Sequence, residues 1–275
     1  MSEKCLTQAA DDYFIKISML KNSGPTAILS ALMQEQQGLI ERLQQPSKVT
    51  HAGREFWHGN LHGQLVVLAL SRIGKVAAAT TATALIEKFG VSRIVFTGVA
   101  GGLGAGVAVG DVVVATEFVQ HDLDASPLFP RYEVPLYGKT RFEGDPALTI
   151  LLFKAACEAL RDQKGSLVER TLFAGACVHQ GLIASGDRFV SGADESGRLR
   201  AALAQAGHVV LAVEMEGAAV AQVCHDYGVP FAAVRTISDR ADDSAHLDFP
   251  SFVNQVASRY AQLIIERFLF LLSIK

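Results

Sequence analysis

Residues Val209–Gly228 read VVLAVEMEGAAVAQVCHDYG. A short, continuous apolar run passes into an alanine-rich helical stretch that stops at a glycine. This is the strand-to-helix step of an α/β protein. Two glutamates, Glu214 and Glu216, stand inside it. Carboxylates are almost never fully buried without a partner, so this junction is a place where charge is held against a core. If the chain is still extended past Val213, the two side chains share a face and Met215 points the other way; if the helix has begun, they diverge. The sequence leaves both arrangements open.

Reading outward, the same alternation recurs. TAILSAL (Thr26–Leu32) reads as a buried strand and QEQQGLIERL as a helix. REFWHGNLHGQLVVLAL reads as a hairpin turning near Asn60–Gly63. KVAAATTATALIEKFG is a helix closed by Gly90. SRIVFTGVAGG is a strand running into glycines, and GDVVVATEFV is another strand. Residues His121–Glu143 hold three of the eight prolines and show no period; loops this long are usually functional or interfacial. A helix over Pro146–Arg161 comes next, then strands at Thr171–Cys177 and Gly181–Ser185 and a helix near Gly197–Gln205. PFAAVRTIS is the last strand, and a long helix begins at about Phe249. Strands alternating with helices, and apolar runs without a polar face, argue a single α/β domain. Its central sheet is mixed, largely parallel, and flanked by helices. No repeat or linker divides the chain, which reads as a polar leader, residues 1–25, and one domain, residues 26–275.

Composition removes several function classes. The net charge is −3 with acids and bases interspersed, so no basic stripe is available for nucleic acid. The four cysteines lie far apart with no Cys-x-x-Cys or Cys/His cluster, which indicates neither a metal site nor a disulfide framework. Reduced thiols and the acidic N-terminus fit a cytoplasmic protein. LIIERFLFLLSIK carries Glu266 and Arg267 and is too short to span a bilayer. No metal or organic cofactor is implied.

In α/β folds ligands sit beyond the carboxyl ends of the strands. The residues just past each strand are therefore the informative ones: Glu35; the run Gly98-Val99-Ala100-Gly101-Gly102; Ser185-Gly186-Asp187-Arg188-Phe189; Glu214 and Glu216; Ser238 and Asp239. Each has a plain structural reading. Glu35 and Glu216 suit first turns of helices, Asp239 a turn, the glycines a tight bend, and Phe189 a core. The glycines do not form G-x-G-x-x-G, so they make no case for a dinucleotide. Together, however, several acids converge where a ligand should lie.

GKVAAA, TGVAGGL, VGDVVV, SGDRF, VEMEGAAVAQVC and RTISDRAD occur in this order. On these motifs the chain resembles the 5′-methylthioadenosine/S-adenosylhomocysteine nucleosidases, of the nucleoside phosphorylase superfamily, from about Thr26 onward. The resemblance implies that Glu216 binds the ribose 2′- and 3′-hydroxyls against Met215, with Glu214 either holding a hydroxyl or structural. It makes Asp239 the acid that protonates purine N7, oriented by Ser238, and Glu35 the acid that activates water. Phe189 would stack on adenine and the Val190 backbone would read its edge, with Ala100 and Gly101 also against the substrate. Leu32, Ile73 and Phe249 would line the 5′ pocket, completed by a partner subunit's loop. The 121–143 excursion is the candidate for that loop, in a homodimer.

The chemistry agrees. Adenine leaves poorly as an anion, so protonation at N7 by a carboxyl of raised pKa makes it neutral. A carboxylate on the ribose diol stabilises the oxocarbenium-like sugar. The loop after the first strand offers no Lys or Arg for phosphate, and Glu35 would repel it, which favours hydrolysis over phosphorolysis. Two positions depart from the family: Arg72 stands where a small residue is usual, and Val99 where some members have Ser. If Arg72 faced the site, a phosphorylase would be the alternative. A nucleosidase for another purine nucleoside such as futalosine is a second, and an inactive nucleoside-binding protein a third.

Overall fold

A computed structural model describes residues 24–161 and 175–274, apart from 244, 246–248, 250 and 251. Residues 1–23 of the expected leader lie outside the described residues, as does part of the strand expected at Thr171–Cys177. The strands are β1 (Thr26–Ser30), β2 (Gln44–His51), β3 (Arg54–Leu61), β4 (Gln64–Leu70), β5 (Arg93–Gly102), β6 (Val112–Gln120), β7 (Arg141–Glu143), β8 (Val178–Ser185), β9 (Val210–Glu214) and β10 (Phe231–Asp239). The helices are α1 (Met33–Ile40), α2 (Lys75–Glu87), α3 (Pro146–Arg161), α4 (Ala193–Gln205), α5 (Gly217–Tyr227) and α6 (Ser258–Ser273), the last entered through a π turn at Val253–Ala257.

All ten strands join one mixed sheet. β5 pairs with β10, β10 with β6, β6 with β8, β8 with β9, and β9 returns to β5, so five strands close into a small barrel. The sheet continues from β5 through β1, β4, β3 and β2. Closure forces one edge of β5 to serve two partners. It pairs with β1 over Arg93–Phe96 and with β9 only at Gly101 and Gly102. Between them the sheet forks, and the backbone there needs other partners.

The apolar strands are covered on both faces, as their continuous hydrophobicity requires. α2 and α5 pack together over Phe96, Ile94 and Phe118 on one side. α3 and α6 pack on the other over Val95, Val112 and Val234. α6 buries Tyr260, Ile264, Ile265, Phe268 and Leu269 along one stripe, each worth about 1.5–3 kcal/mol of burial. Its polar side ties Arg267 to Glu158 at 2.7 Å. No helix among the described residues is long and apolar enough to cross a membrane.

Two features differ from the sequence reading. QQPSKVTH forms the edge strand β2, exposed along its whole length, with a bulge between Gln44 and Ser47 that leaves Pro46 outside the ladder. The glycines after β5 form no bend, because the strand runs through them to Gly102. The hairpin turns are as expected: His62 and Gly63 both have positive φ, the geometry whose twist matches flanking strands.

Candidate active site

A cavity of about 320 Å³ opens at the fork, at the carboxyl ends of β1, β5, β9 and β10. Glu35, Ser238, Asp239, Glu214, Met215, Glu216, Phe189, Ala100, Gly101, Leu32, Ile73 and Phe249 all line it. Of the residues to which the resemblance gives a place at the substrate, Val190 alone is not in its wall; its side chain packs in the core with Leu203 and Val210.

Glu35 is the third residue of α1 and is buried. Its Oε2 accepts from the Ala31 and Leu32 amides, both at 2.9 Å, so it does cap its own helix. Its Oε1 reaches across the fork and accepts from the Val99 amide at 3.1 Å. That N–H is one of the backbone groups the splayed sheet frees. Burial pushes the Glu35 pKa up, against the lowering pull of these amides and of Arg235.

Glu214 and Glu216 have opposite surroundings. Glu214 accepts from Arg235 Nη2 at 2.8 Å, from the Glu216 and Gly217 amides, and from the Ser185 hydroxyl. Arg235 is itself buried, bonded through Nη1 to the carbonyls of Phe96 and Val234, and laid over the Phe96 ring at 4.0 Å. This pair is saturated. Glu216, the N-cap of α5, is buried too, yet its Oε1 has one donor, the Gly74 amide at 2.8 Å. Burial and the neighbouring charge of Glu214 push its pKa up to about 8. Gly74 opens α2 with φ +96°, a conformation suited to glycine, and Asp187 fixes the next amide, that of Lys75, at 2.7 Å.

Asp239 ends β10. Its Oδ2 accepts from the Ser238 hydroxyl at 2.8 Å and its Oδ1 from the Ala241 amide at 2.8 Å. The β5 glycines now have a reason. A Cβ on Gly98 would lie 3.3 Å from Glu35 Oε1, and one on Gly101 would lie 3.0 Å from Asp239 Oδ1. Phe189, 43% exposed, stands edge-on to Phe249 with centroids 5.3 Å apart and offers a ring at the mouth.

Arg72 is exposed, bonds to the Gly53 carbonyl and is not in the cavity wall. Among the described residues the only basic side chain in that wall is Arg235, already committed to Glu214. Sequence reasoning missed Arg235, and gave no role to Ser185 or to the Gly74 and Val99 amides. A signal for Arg235 existed: a lone arginine in the wholly buried strand FAAVRTISD demands a buried acid nearby.

The fork, the acids and the saturated cation define a class. The profile of the phosphorylase superfamily matches residues 25–269, and the chain belongs to that superfamily. The 5′-methylthioadenosine/S-adenosylhomocysteine nucleosidase of Bacillus thuringiensis subsp. konkukian is 35% identical over 240 residues, 87% of this chain and 96% of that protein. The crystal structure of the Neisseria meningitidis nucleosidase of the same name, in complex with methylthio-immucillin-A, superposes with a TM-score of 0.78 at 36% identity, covering 90% of this chain and 99% of that one. A futalosine hydrolase mutant of Helicobacter pylori has a TM-score of 0.75 at 31% identity, covering 89% and 98%. Within the superfamily, the chain is a member of the 5′-methylthioadenosine/S-adenosylhomocysteine nucleosidases.

Proposed function

We propose that this protein hydrolyses the N-glycosidic bond of 5′-methylthioadenosine and S-adenosylhomocysteine, releasing adenine and a 5-thio-substituted ribose. The observation that carries water as the nucleophile is the make-up of the cavity wall: Glu35, Glu216 and Asp239 converge there, and the only basic side chain among the described residues of that wall is Arg235, held by Glu214. The carboxylate of Glu35 in a wall without a free cation stabilises a positive ribosyl group and repels incoming phosphate.

In this reading adenine stacks on Phe189 between Ala100, Gly101 and the loop whose Val190 backbone reads the base edge. Asp239, oriented by Ser238, gives its proton to N7 as the bond electrons pass to the base. Glu216 takes the ribose hydroxyls, with Met215 beside the sugar. Glu35, made more basic by burial, accepts a proton from the water whose oxygen bonds to C1′. Glu214 holds Arg235 and the α5 amides rather than substrate. The 5′ substituent lies against Leu32, Ile73 and Phe249.

The protein acts as a cytoplasmic homodimer in this reading, with the 121–143 excursion completing the partner's 5′ pocket. Leu128 and Leu136 of that excursion are 85% and 92% exposed, as a subunit contact would need. Adenine release from 5′-methylthioadenosine tests the reaction. It is expected at the same rate in phosphate-free buffer and with phosphate added. Release only with phosphate would make the protein a phosphorylase and remove the role given to Glu35. Futalosine, run beside the other two nucleosides, tests the substrate that the Helicobacter pylori neighbour suggests; cleavage of futalosine alone would overturn the substrate assignment.

A further inference from the structure

Beside the first turn of α1, next to the cavity, lies a second hollow of about 460 Å³. The two share a thin wall. Leu32, Glu35 and Ile73 face the cavity, while their neighbours Met33, Gln36 and Arg72 line the hollow. Trp57, Ile40 and Met33 give the hollow an apolar side.

Its other side carries donors. Gln36 is 2% exposed, and its Nε2 has no acceptor among the described residues. An amide buried without an acceptor is costly unless a ligand supplies one. Arg54 and Arg72 also line the hollow. They bond only neutral oxygens: Arg72 the Gly53 carbonyl, and Arg54 the Thr81 hydroxyl and the carbonyls of Ala52 and Ala77. Neither has an ion pair with a described carboxylate, and the charge that acts on Arg54 is the like charge of Arg72. Of the two acids that line it, Glu55 pairs with Lys48 at 2.7 Å, and Glu41 accepts from the neutral amide of Gln37 at 3.3 Å, so the two guanidiniums outweigh the one carboxylate that no cation offsets. Two guanidiniums, an amide donor and an aromatic wall suit an organic carboxylate better than a bare inorganic anion.

We infer that this hollow receives the carboxylate end of a nucleoside's 5′ substituent, and that Arg72 selects substrates with an amino-acid tail over those with a short thioether. The inference rests on the nucleosidase reading. A tail leaving the 5′ pocket passes Ile73, 57% exposed, and the next residue along the wall is Arg72. Arg72 sits at φ +64°, where glycine or asparagine is at ease. Its side chain is exposed, so it can leave the Gly53 carbonyl for a charged acceptor.

The test compares kcat/KM for S-adenosylhomocysteine and for 5′-methylthioadenosine in the full-length protein and in Arg72→Asn, which keeps the backbone conformation. Charge-assisted bonds of this kind predict that the ratio of the two falls by about tenfold or more, mainly through KM for the longer substrate. Arg72→Lys should lose only part of it. An unchanged ratio in Arg72→Asn overturns the proposal. Sodium phosphate titrated against methylthioadenosine turnover distinguishes a free-anion site. If phosphate alters wild-type turnover but not that of Arg72→Asn, while the substrate ratio stays constant, the hollow holds free anions and the tail assignment is wrong. If the wild type releases adenine from neither nucleoside, the nucleosidase reading has failed and the inference falls with it.

Discussion

Glu214 and Glu216 are two residues apart and equally hidden from solvent, yet the protein treats them oppositely. Glu214 closes a knot with Arg235, Ser185 and the first amides of α5. Glu216 keeps one backbone donor and faces an open cavity. Burial alone therefore does not mark a functional acid. The informative property is unsatisfied capacity: a buried carboxylate with room to accept more hydrogen bonds awaits a ligand. Glu35 lies between the extremes, anchored by three amides but still in the cavity wall.

The open side should break at the chemistry. Asp239→Asn keeps the shape and the Ala241 contact but has no proton to give. Turnover should fall by about 10²–10⁴-fold while nucleoside affinity, measured by calorimetry, changes little. Near-normal turnover would mean that N7 is protonated by another group. Glu35→Gln should show a loss of similar size in single-turnover adenine release, and an active variant would point to a different base.

The closed side should break in the fold. Arg235→Met leaves Glu214 buried without its partner, and such losses destabilise by about 3–5 kcal/mol. Urea unfolding reads this directly. The double variant Glu214→Gln/Arg235→Met should recover part of the loss, since no unpaired charge remains. If the single variant is as stable as the wild type, the knot is not what holds the β9–α5 junction.

Glu216 sharpens the contrast through pH. Its folded pKa, about 8, lies above the ordinary 4.5, so the folded protein binds a proton that the unfolded chain releases. Stability is then lost as pH rises from about 4.5 to about 8, by up to about 1.4 kcal/mol per pH unit. Glu216→Gln removes this cost. Its unfolding free energy should exceed that of the wild type at pH 8, with the difference shrinking toward pH 5. Phe189→Ala should have the smallest effect, weakening adenine binding by about 1–3 kcal/mol with no loss of stability. Unchanged affinity would assign the ring to packing against Phe249.

Much of this was legible in the sequence, because local pattern carries it. The continuous apolar runs located the buried strands, and the acids at strand ends did converge. Other features depend on partners distant in sequence. β2 was hidden because QQPSKVTH is polar and contains Pro46, and only pairing with β3 makes it a strand. Barrel closure joins β5 to β9 and β10 to β6, and no local period encodes that. The Gly74 and Val99 amides are backbone groups, so residue identity says nothing of their role. Whether Glu214 and Glu216 share a face could not be read because the chain turns into α5 between them.

One experiment tests the division of labour most directly: melting curves of Glu214→Gln and Glu216→Gln at pH 8, with and without a non-hydrolysable adenine nucleoside analogue. Glu216→Gln is expected to melt at or above the wild type and to gain little from the analogue. Glu214→Gln is expected to melt well below the wild type and still to be raised by the analogue. A Glu216 variant that melts low yet binds normally, beside a Glu214 variant that is stable but does not bind, would reverse the two roles.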